Sequence, residues 1–248
     1  MSVRHFDGVD DVLSVGALSP SFTGDGTIAV IWRGSDGSNH GIMDAEDSGG
    51  FQRWSFIAVS GDETYFSCFG FSALHPWSAD EWYLSIMTKP SGGSTVRRHS
   101  MPFSTGVWTH ADRSSVGDNA GSAATINFGH NATDNFWLEG EIAAAGIWRG
   151  VQLSDAECES MEADLLSWLA LSPDGLWALN QESVSDPVID LTGNGHDQVA
   201  IVGTSILTGD DPPGFDFSLV TDTHFYRDGG VWVPTTRHVR QAGAWVTL

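Results

Sequence analysis

Short apolar segments separated by turn-forming residues are the feature that most limits how this chain can fold. Clusters of Gly, Asp, Asn and Ser such as SDGSN, PSGG and GDNAGS interrupt every apolar run after a few residues. The runs recur about every 10–15 residues, a spacing typical of an all-β sandwich or barrel. The clearest of them are DVLSVGAL, TIAVIWRG, FQRWSFIAV, TYFSCFGFSAL, EWYLSIMTK, STVRRHSMPF, ATINFGH and GEIAAAGIW.

One segment departs from this pattern. In LSDAECESMEADLLSWLAL, the apolar residues Met161, Leu165 and Trp168 recur near helical spacing. Ser154 or Asp155 suits an N-cap, and the acidic residues of the first turn complement the positive end of a helix. The sequence predicts one helix over about 154–170. We expect its three glutamates to form a solvated face; they are Glu157, Glu159 and Glu162.

The net charge of the chain limits the classes of molecule that it can bind. Its 248 residues include 32 acidic and 11 basic residues, which gives a net charge of −21 at pH 7. Such a surface repels nucleic acid, and no cluster of Lys and Arg is present to pair with phosphates. The length suits one large β domain with a small appendage. We therefore expect no nucleic-acid partner.

The cysteines and the termini give weaker constraints. Cys68 and Cys158 are too few for a disulfide framework and form no CxxC pair, so we expect both to be reduced core residues; a single bridge between them is the alternative. The segment MSVRHFDGVDD lacks the apolar stretch of a signal peptide, and no apolar run approaches 18 residues. These features predict synthesis in the cytoplasm and no membrane insertion.

Candidate catalytic residues are few. Asp44, Glu46 and Asp47 lie close together, but the adjacent SGG favours an exposed turn. Glu139 and Glu141 flank Gly140 on a predicted strand and would share one face, which is the arrangement that a glycanase on a β-sandwich needs. They lack a third acid at the spacing of sandwich glucanases, and the nine histidines show no spacing typical of a zinc site. We expect no catalytic residues and no zinc site.

Two acidic loops could hold a cation. In DLTGNGHD, the oxygens of Asp190, Asn194 and Asp197 would suit Ca²⁺, but Ile201 stands where an EF-hand loop requires Glu. The plainer interpretation is an Asx-rich turn between strands. FDGVDD, near the N-terminus, can likewise be interpreted as a cation site or, more plainly, as a turn. The sequence predicts no resident cofactor, with Ca²⁺ as the one cation these loops favour.

Tryptophan supplies the candidate ligand-binding residues. A ring face can cover the apolar face of a pyranose, so exposed Trp side chains are typical of sugar-binding sites. Most of the eleven Trp must belong to the core. The candidates for a carbohydrate surface are Trp77, Trp82 and Trp108.

The segments FDGVDDVLSVGAL, FWLEGEIAAAGIWRGVQLSDAECESMEADLLSWL and DLTGNGHD resemble phrases of laminin-G-like, concanavalin A-like domains. The resemblance covers about residues 1–205 and implies a two-sheet jelly-roll sandwich. Such domains bind sugars or proteins, sometimes through Ca²⁺, and some are purely structural. The implied organisation is a sandwich over 1–205, a linker over 206–220 that contains Pro212 and Pro213, and a tail over 221–248.

The tail, residues 221–248, contains one short sequence motif twice. RDGGVWV, which begins at Arg227, returns as RQAGAWV at Arg240, and places Trp232 and Trp245 in matching positions. Turn residues between β-prone segments predict two short hairpins. An isolated hairpin of this size is marginal in water, so these four residues are candidates for docking or oligomerisation; capping of the parent domain is the alternative.

The tail is similar to the C-termini of minor structural proteins of bacteriophages, especially those of actinobacteria. This resemblance implies a non-enzymatic virion protein, either a minor tail or a capsid-surface protein, that displays the sandwich outward. The implied partners are other virion proteins, further copies of the chain and host-surface glycan. An endo-glycanase on the same scaffold and a bacterial adhesin domain are the alternatives.

Overall fold

The computed structural model describes fifteen stretches of the chain. They are 2–16, 26–35, 38–46, 52–59, 63–67, 77–90, 95–114, 125–131, 135–180, 187–208, 211–217, 225–228, 231–234, 238–241 and 244–247.

The larger sheet of the described residues has eight antiparallel strands in the order β16-β1-β13-β3-β7-β8-β9, with β14 beside β13. β1 and β14 pair with successive halves of β13, which is eleven residues long. The strands are β1 (Ser2–Asp7), β3 (Gly26–Gly34), β7 (Tyr83–Lys89), β8 (Thr95–Pro102), β9 (Thr109–Ser114), β13 (Glu139–Arg149), β14 (Gly175–Ala178) and β16 (Ser205–Thr208).

The second sheet has six antiparallel strands in the described residues, in the order β15-β2-β10-β4-β5-β6. A two-stranded pair, β11 (His130–Asn131) with β12 (Phe136–Trp137), lies against β4. The six strands are β2 (Val12–Gly16), β4 (His40–Glu46), β5 (Gln52–Val59), β6 (Glu63–Ser67), β10 (Thr125–Phe128) and β15 (Gln198–Val202). The predicted two-sheet β-sandwich is confirmed.

Two apolar cores lie on opposite faces of the larger sheet. Successive strand residues face opposite ways, so β3 sends Ile28, Val30 and Trp32 into the core between the sheets. The alternate residues Ala29 and Ile31 belong to a second core on the outer face of the same sheet. A strand buried on both faces needs continuous rather than alternating apolar residues, which explains the run TIAVIW.

Two helices cover that outer face where the sequence predicted one. α1 (Asp155–Ser160) begins with a capping box between Ser154 and Glu157, and α2 (Leu165–Ala170) begins at the N-cap Asp164. The backbone N–H of Asp216 donates to the carbonyl of Ala163 at 2.9 Å between the helices. The helix is interrupted at Asp164, whose backbone is extended with φ of −164° and ψ of 165° and whose side chain accepts from the N–H of Ser167. In the part of the chain that is described, no helix is long and apolar enough to span a bilayer.

Cys158 is fully buried on α1 with a free thiol, as expected, and its burial raises the pKa to about 12. Cys68 lies outside the described residues.

Most of the described residues in 206–220, the segment predicted as a linker, belong to the sandwich. β16 pairs with β1 at the edge of the larger sheet. Phe215 and Phe217 are buried in the second core, where Phe215 contacts the ring of Trp168 at a centroid distance of 6.2 Å. The two prolines suggested an extended segment, but the phenylalanines that follow them bury it against the helices. The body therefore extends at least to Phe217.

The tail forms two separate strand pairs. β17 (Phe225–Asp228) pairs with β18 (Val231–Pro234), and β19 (His238–Gln241) pairs with β20 (Ala244–Thr247). Their registers match: Arg227 lies opposite Trp232, and Arg240 lies opposite Trp245. The predicted hairpin strands are confirmed. The predicted docking role of these four residues stays a prediction.

Candidate functional site

Two of the three predicted sugar-binding tryptophans are core residues. Trp77 is 2% exposed and contacts Trp32 at a centroid distance of 5.5 Å. Trp82 is 4% exposed and lies beneath the guanidinium of Arg33, 5.1 Å from its ring centroid. Trp77 belongs to the core between the sheets and Trp82 to the core on the outer face of the larger sheet, so neither ring offers a face to a sugar. This corrects the expectation for Trp77 and Trp82.

Trp108, the third candidate, is partly exposed just before β9. Its indole Nε1 donates a hydrogen bond of 2.9 Å to Oε2 of Glu162, and its ring is parallel to that of His110 at a centroid distance of 6.3 Å. A second partly exposed tryptophan, Trp137 on β12, stacks on His130 at 4.0 Å. These two rings remain open to ligand in part.

Trp108 belongs to a polar cluster that we call the β9–α1 edge. Strand register places Arg97 opposite Asp112 and His99 opposite His110, so these four side chains share the face that meets α1. The acidic residues of α1 and the following turn lie against them. The β9–α1 edge consists of Arg97, His99, Trp108, His110, Asp112, Asp155, Glu159 and Glu162.

Arg97 organises the acidic side of this edge. Its Nε and Nη2 donate to the two oxygens of Asp155 at 2.8 and 2.7 Å, and its Nη1 donates to Asp112 at 2.8 Å. These bonds favour the ionised carboxylate and hold the pKa of Asp155 below its usual value. One guanidinium thereby fixes the first residue of α1 against β8 and β9.

The two histidines face each other across the strand pair. Nδ1 of His99 lies 2.9 Å from Nδ1 of His110, and Nε2 of His99 lies 3.3 Å from Oγ1 of Thr88. His99 is fully buried, and this burial lowers its pKa to about 4, so its ring is neutral at pH 7. Nε2 of His110 lies 3.3 Å from Oε1 of Glu159.

The sequence spacing gave no sign that these two histidines meet, and the expectation of no zinc site stays untested. His99 and His110 are eleven positions apart, a spacing that signals nothing on one element, but cross-strand pairing makes them neighbours. His99 lies in the predicted run STVRRHSMPF, but no predicted run contains His110, so nothing in the sequence indicated their pairing. The three glutamates expected on a solvated face are exposed, and two of them also bind His110 and Trp108.

Hydrogen bonds within the DLTGNGHD loop converge on Asp190. Asp190 is 3% exposed, and its carboxylate accepts hydrogen bonds from the backbone of Leu176, Thr192 and His196 and from the Thr192 hydroxyl. Asp197 accepts from the backbone of Asp190 at 2.9 Å. The Asn194 amide donates to the carbonyl of Asp174 at 2.8 Å. The Asp190 carboxylate thus accepts hydrogen bonds from N–H and O–H groups of the loop and stabilises its conformation.

The FDGVDD segment is also a hydrogen-bonded turn. The backbone N–H of Asp7 donates to Asp11 at 2.8 Å, and that of Val9 donates to Asp7 at 2.9 Å. The carboxylates of Asp7, Asp10 and Asp11 lie close together, and burial raises the pKa of Asp11. The turn geometry accounts for this acidic group.

The candidate catalytic carboxylates are not arranged as a pair across a cleft. Glu139 is exposed, whereas Glu141 is 3% exposed and lies 2.8 Å from Nε of Arg33 and 3.0 Å from Nδ1 of His5. Gly140 between them has φ of 153°, and a Cβ there would lie 2.1 Å from the Arg33 carbonyl oxygen.

Asp44, predicted in an exposed turn with Glu46 and Asp47, is instead a fully buried residue of β4, and Glu46 ends that strand. Asp47 lies outside the described residues.

No protein-family model and no curated protein matches the chain. A candidate carbohydrate binding protein from Bacteroides ovatus has a similar structure, with a TM-score of 0.61 and 14% identity over 85% of this chain. The chain spans 61% of the length of that protein. The shared fold over most of the chain, with the sheet order described above, makes this an all-β two-sheet jelly-roll sandwich.

Two further solved structures are more distant. The CBM40 of a Ruminococcus gnavus IT-sialidase, bound to alpha2,3 sialyllactose, has a TM-score of 0.46 and 11% identity over 63% of this chain and 96% of its own. Domains LG4-5 of the mouse laminin alpha1 chain have a TM-score of 0.39 and 13% identity over 59% of this chain and 40% of theirs.

Proposed function

We propose that this chain is a non-enzymatic glycan-binding sandwich carried on a virion. The observation that carries the binding role is the fold shared over 85% of the chain with the candidate carbohydrate binding protein from Bacteroides ovatus. Identity of 14% supports the fold alone, so the ligand is inferred from the side chains of this chain.

The β9–α1 edge offers the chemistry that a sugar requires. The partly exposed ring of Trp108 can cover the apolar face of a pyranose. Arg97 can donate to sugar hydroxyls, and the carboxylates of Asp112 and Glu159 can accept from them. Few precisely placed polar groups beside an aromatic ring are typical of ligand sites. We place the glycan against Trp108 for this reason.

The burial of Glu141 favours glycan binding without hydrolysis. The carboxylate that would serve as acid or nucleophile is buried and held by Arg33 and His5 on neighbouring strands. Hydrolysis by two carboxylates requires them to flank the bond that is cleaved. Glu141 lacks access to such a bond, and Glu139 by itself supplies one carboxylate.

The virion part of the proposal rests on the tail. The repeated phrase resembles the C-termini of bacteriophage minor structural proteins, and each copy forms a strand pair with Arg opposite Trp. Two small strand pairs with the same register can present the same surface twice. Other virion proteins or further copies of the chain are the proposed partners of this surface.

Glycan arrays with the full chain and the Trp108→Ala variant test the binding role. We expect the full chain to bind a bacterial surface glycan and the variant to lose at least about tenfold in affinity, since aromatic stacking contributes a large part of sugar binding. Trp137→Ala is the matched control and should bind normally. Loss in Trp137→Ala alone would move the site to β12, and release of reducing sugar by the wild-type chain would refute the non-enzymatic role.

Mass spectrometry of purified phage particles tests the virion role separately. We expect peptides of this chain in intact particles. Their absence from particles whose other structural proteins are detected would refute the virion proposal and leave the glycan proposal standing.

A further inference from the structure

Three potential metal ligands converge at the β9–α1 edge. His99, His110 and Asp155 each offer one potential ligand atom, and these three atoms all lie within 4.8 Å of one another. The Nδ1 atoms of the two histidines face each other. The two nitrogens are 2.9 Å apart, and Oδ1 of Asp155 is 3.7 Å from that of His99. Distances of about 3 to 3.5 Å between ligand atoms are those imposed by metal–ligand bonds of about 2.0–2.2 Å.

The other ring nitrogens already have oxygen partners. Nε2 of His110 faces the carboxylate of Glu159, which accepts hydrogen bonds and cannot donate them when ionised. Nε2 of His99 faces the hydroxyl of Thr88, which also lies 3.5 Å from the carbonyl of Arg97. A Thr88 hydroxyl that donates to this carbonyl accepts from His99.

With both Nε2 atoms as donors, both Nδ1 atoms present lone pairs to each other at 2.9 Å. A cation between them removes the repulsion. Metal-bound histidines commonly donate their second N–H to a carboxylate, a carbonyl or another oxygen, which fixes the ring and its tautomer. Glu159 and Thr88 are placed for that role.

We propose that His99, His110 and Asp155 bind a first-row divalent transition metal ion, most suitably Zn²⁺. Two imidazole nitrogens exclude a preference for Ca²⁺ or Mg²⁺, which take oxygen ligands. Zinc with three protein ligands keeps a further position for water or a bound group. The partly exposed side chains of His110 and Asp155 leave the ion open to solvent on that side.

The charges around the site support a cation. Arg97 already binds Asp155, so it opposes the ion, but Asp112 and Glu159 add two further carboxylates. Both Asp155 oxygens retain lone pairs beyond the single bond that each accepts from Arg97. Arg97 would then hold the carboxylate in place for the ion.

The test is calorimetric titration of the metal-stripped full chain, without a histidine tag, with ZnCl₂ in the absence of glycan. We expect one ion per chain, and a weakening of at least about tenfold in each of His110→Gln and Asp155→Asn. Co²⁺ should bind the same site and give a visible absorption spectrum without thiolate bands. Because no sugar is present, the outcome is independent of the proposed glycan function.

His196→Gln is the control, since this residue lies outside the cluster, and it should bind zinc as the wild type does. Circular dichroism shows whether each variant is folded. If His110→Gln is unfolded, Asp155→Asn alone provides the test. Absence of zinc binding would overturn the proposal and leave the two rings joined by a hydrogen bond. Equal affinity in the wild type and Asp155→Asn, or equal weakening in His196→Gln, would overturn it as well.

Discussion

Glu141 on β13 accepts a 2.8 Å hydrogen bond from Nε of Arg33 on β3, although the two residues are 108 positions apart in the chain. The strand register places His5 on the opposite side of Glu141, 3.0 Å away. Arg33 also covers the ring of Trp82. This row of side chains joins three neighbouring strands and the start of a fourth on the outer face of the larger sheet.

Replacing Glu141 by Gln should destabilise the fold. The change removes the negative charge that pairs with the Arg33 guanidinium, and loss of one partner from a buried ion pair typically costs about 3–5 kcal/mol. We expect a loss of about 3 kcal/mol in the free energy of unfolding, measured by urea denaturation. Glu139→Gln, at an exposed position two residues away, should change it by less than about 0.5 kcal/mol. Equal effects of the two changes would contradict the structural role of Glu141.

The pH dependence of the free energy of unfolding should show the contribution of His5. Its hydrogen bond to Glu141 raises the pKa of His5 above 6.5 in the folded state. A raised pKa means that the folded state binds the proton more tightly than the unfolded state. The resulting stabilisation is fully present below the unfolded value of about 6.5 and is lost as pH rises through the folded pKa.

Denaturation of the wild type and His5→Gln at several values from about pH 5 to about pH 9 measures this contribution. The difference in the free energy of unfolding should be largest at the acidic end and should shrink toward the alkaline end. A difference that is constant or grows with pH would show that His5 does not gain a proton from the contact with Glu141.

Two truncations separate the body from the tail. A chain that ends at Phe217 should keep the wild-type melting temperature, because it retains β16 and both buried phenylalanines. A chain that ends at Thr204 should be destabilised by about 3 kcal/mol or more for each phenylalanine removed from the core. Calorimetry of both chains checks this. A lowered melt for the chain that ends at Phe217 would show that the tail caps its own domain.

The same pair tests docking. If the tail binds a partner, the chain that ends at Phe217 should stay folded yet lose self-association or incorporation into particles. Trp232→Ala and Trp245→Ala in the full chain are the matching point variants, since the two residues occupy equivalent positions in the two strand pairs. Normal assembly by the truncated chain would rule out the docking role.

Asp190 should stabilise its loop without calcium. Asp190→Ala leaves three backbone N–H groups without their acceptor, and each buried group left unsatisfied typically costs about 1–3 kcal/mol. We expect a clear drop in melting temperature that is the same in excess Ca²⁺ and in chelator. Ca²⁺ that raises the wild-type melting temperature but not that of Asp190→Ala would instead identify the loop as a calcium site.

The sequence by itself determined the features that depend on neighbouring residues. The spacing of apolar runs predicted the β-sandwich, the Ser154 cap predicted where the first helix begins, and the repeated tail phrase predicted two strand pairs. These signals are local, because strand alternation, capping and hairpin turns involve residues within a few positions of one another. The sequence also limited the partners, since its net charge of −21 belongs to the composition.

Tertiary structure decided which side chains are available and which meet. The larger sheet is covered on both faces, so Trp77 and Trp82 are buried while Trp108 at its edge is partly exposed. Strand register brought His99 to His110, and the predicted single helix is interrupted at Asp164, which bridges to the distant Asp216. These outcomes depend on contacts between residues far apart in the chain, and local periodicity carries no information about which distant strand becomes a neighbour.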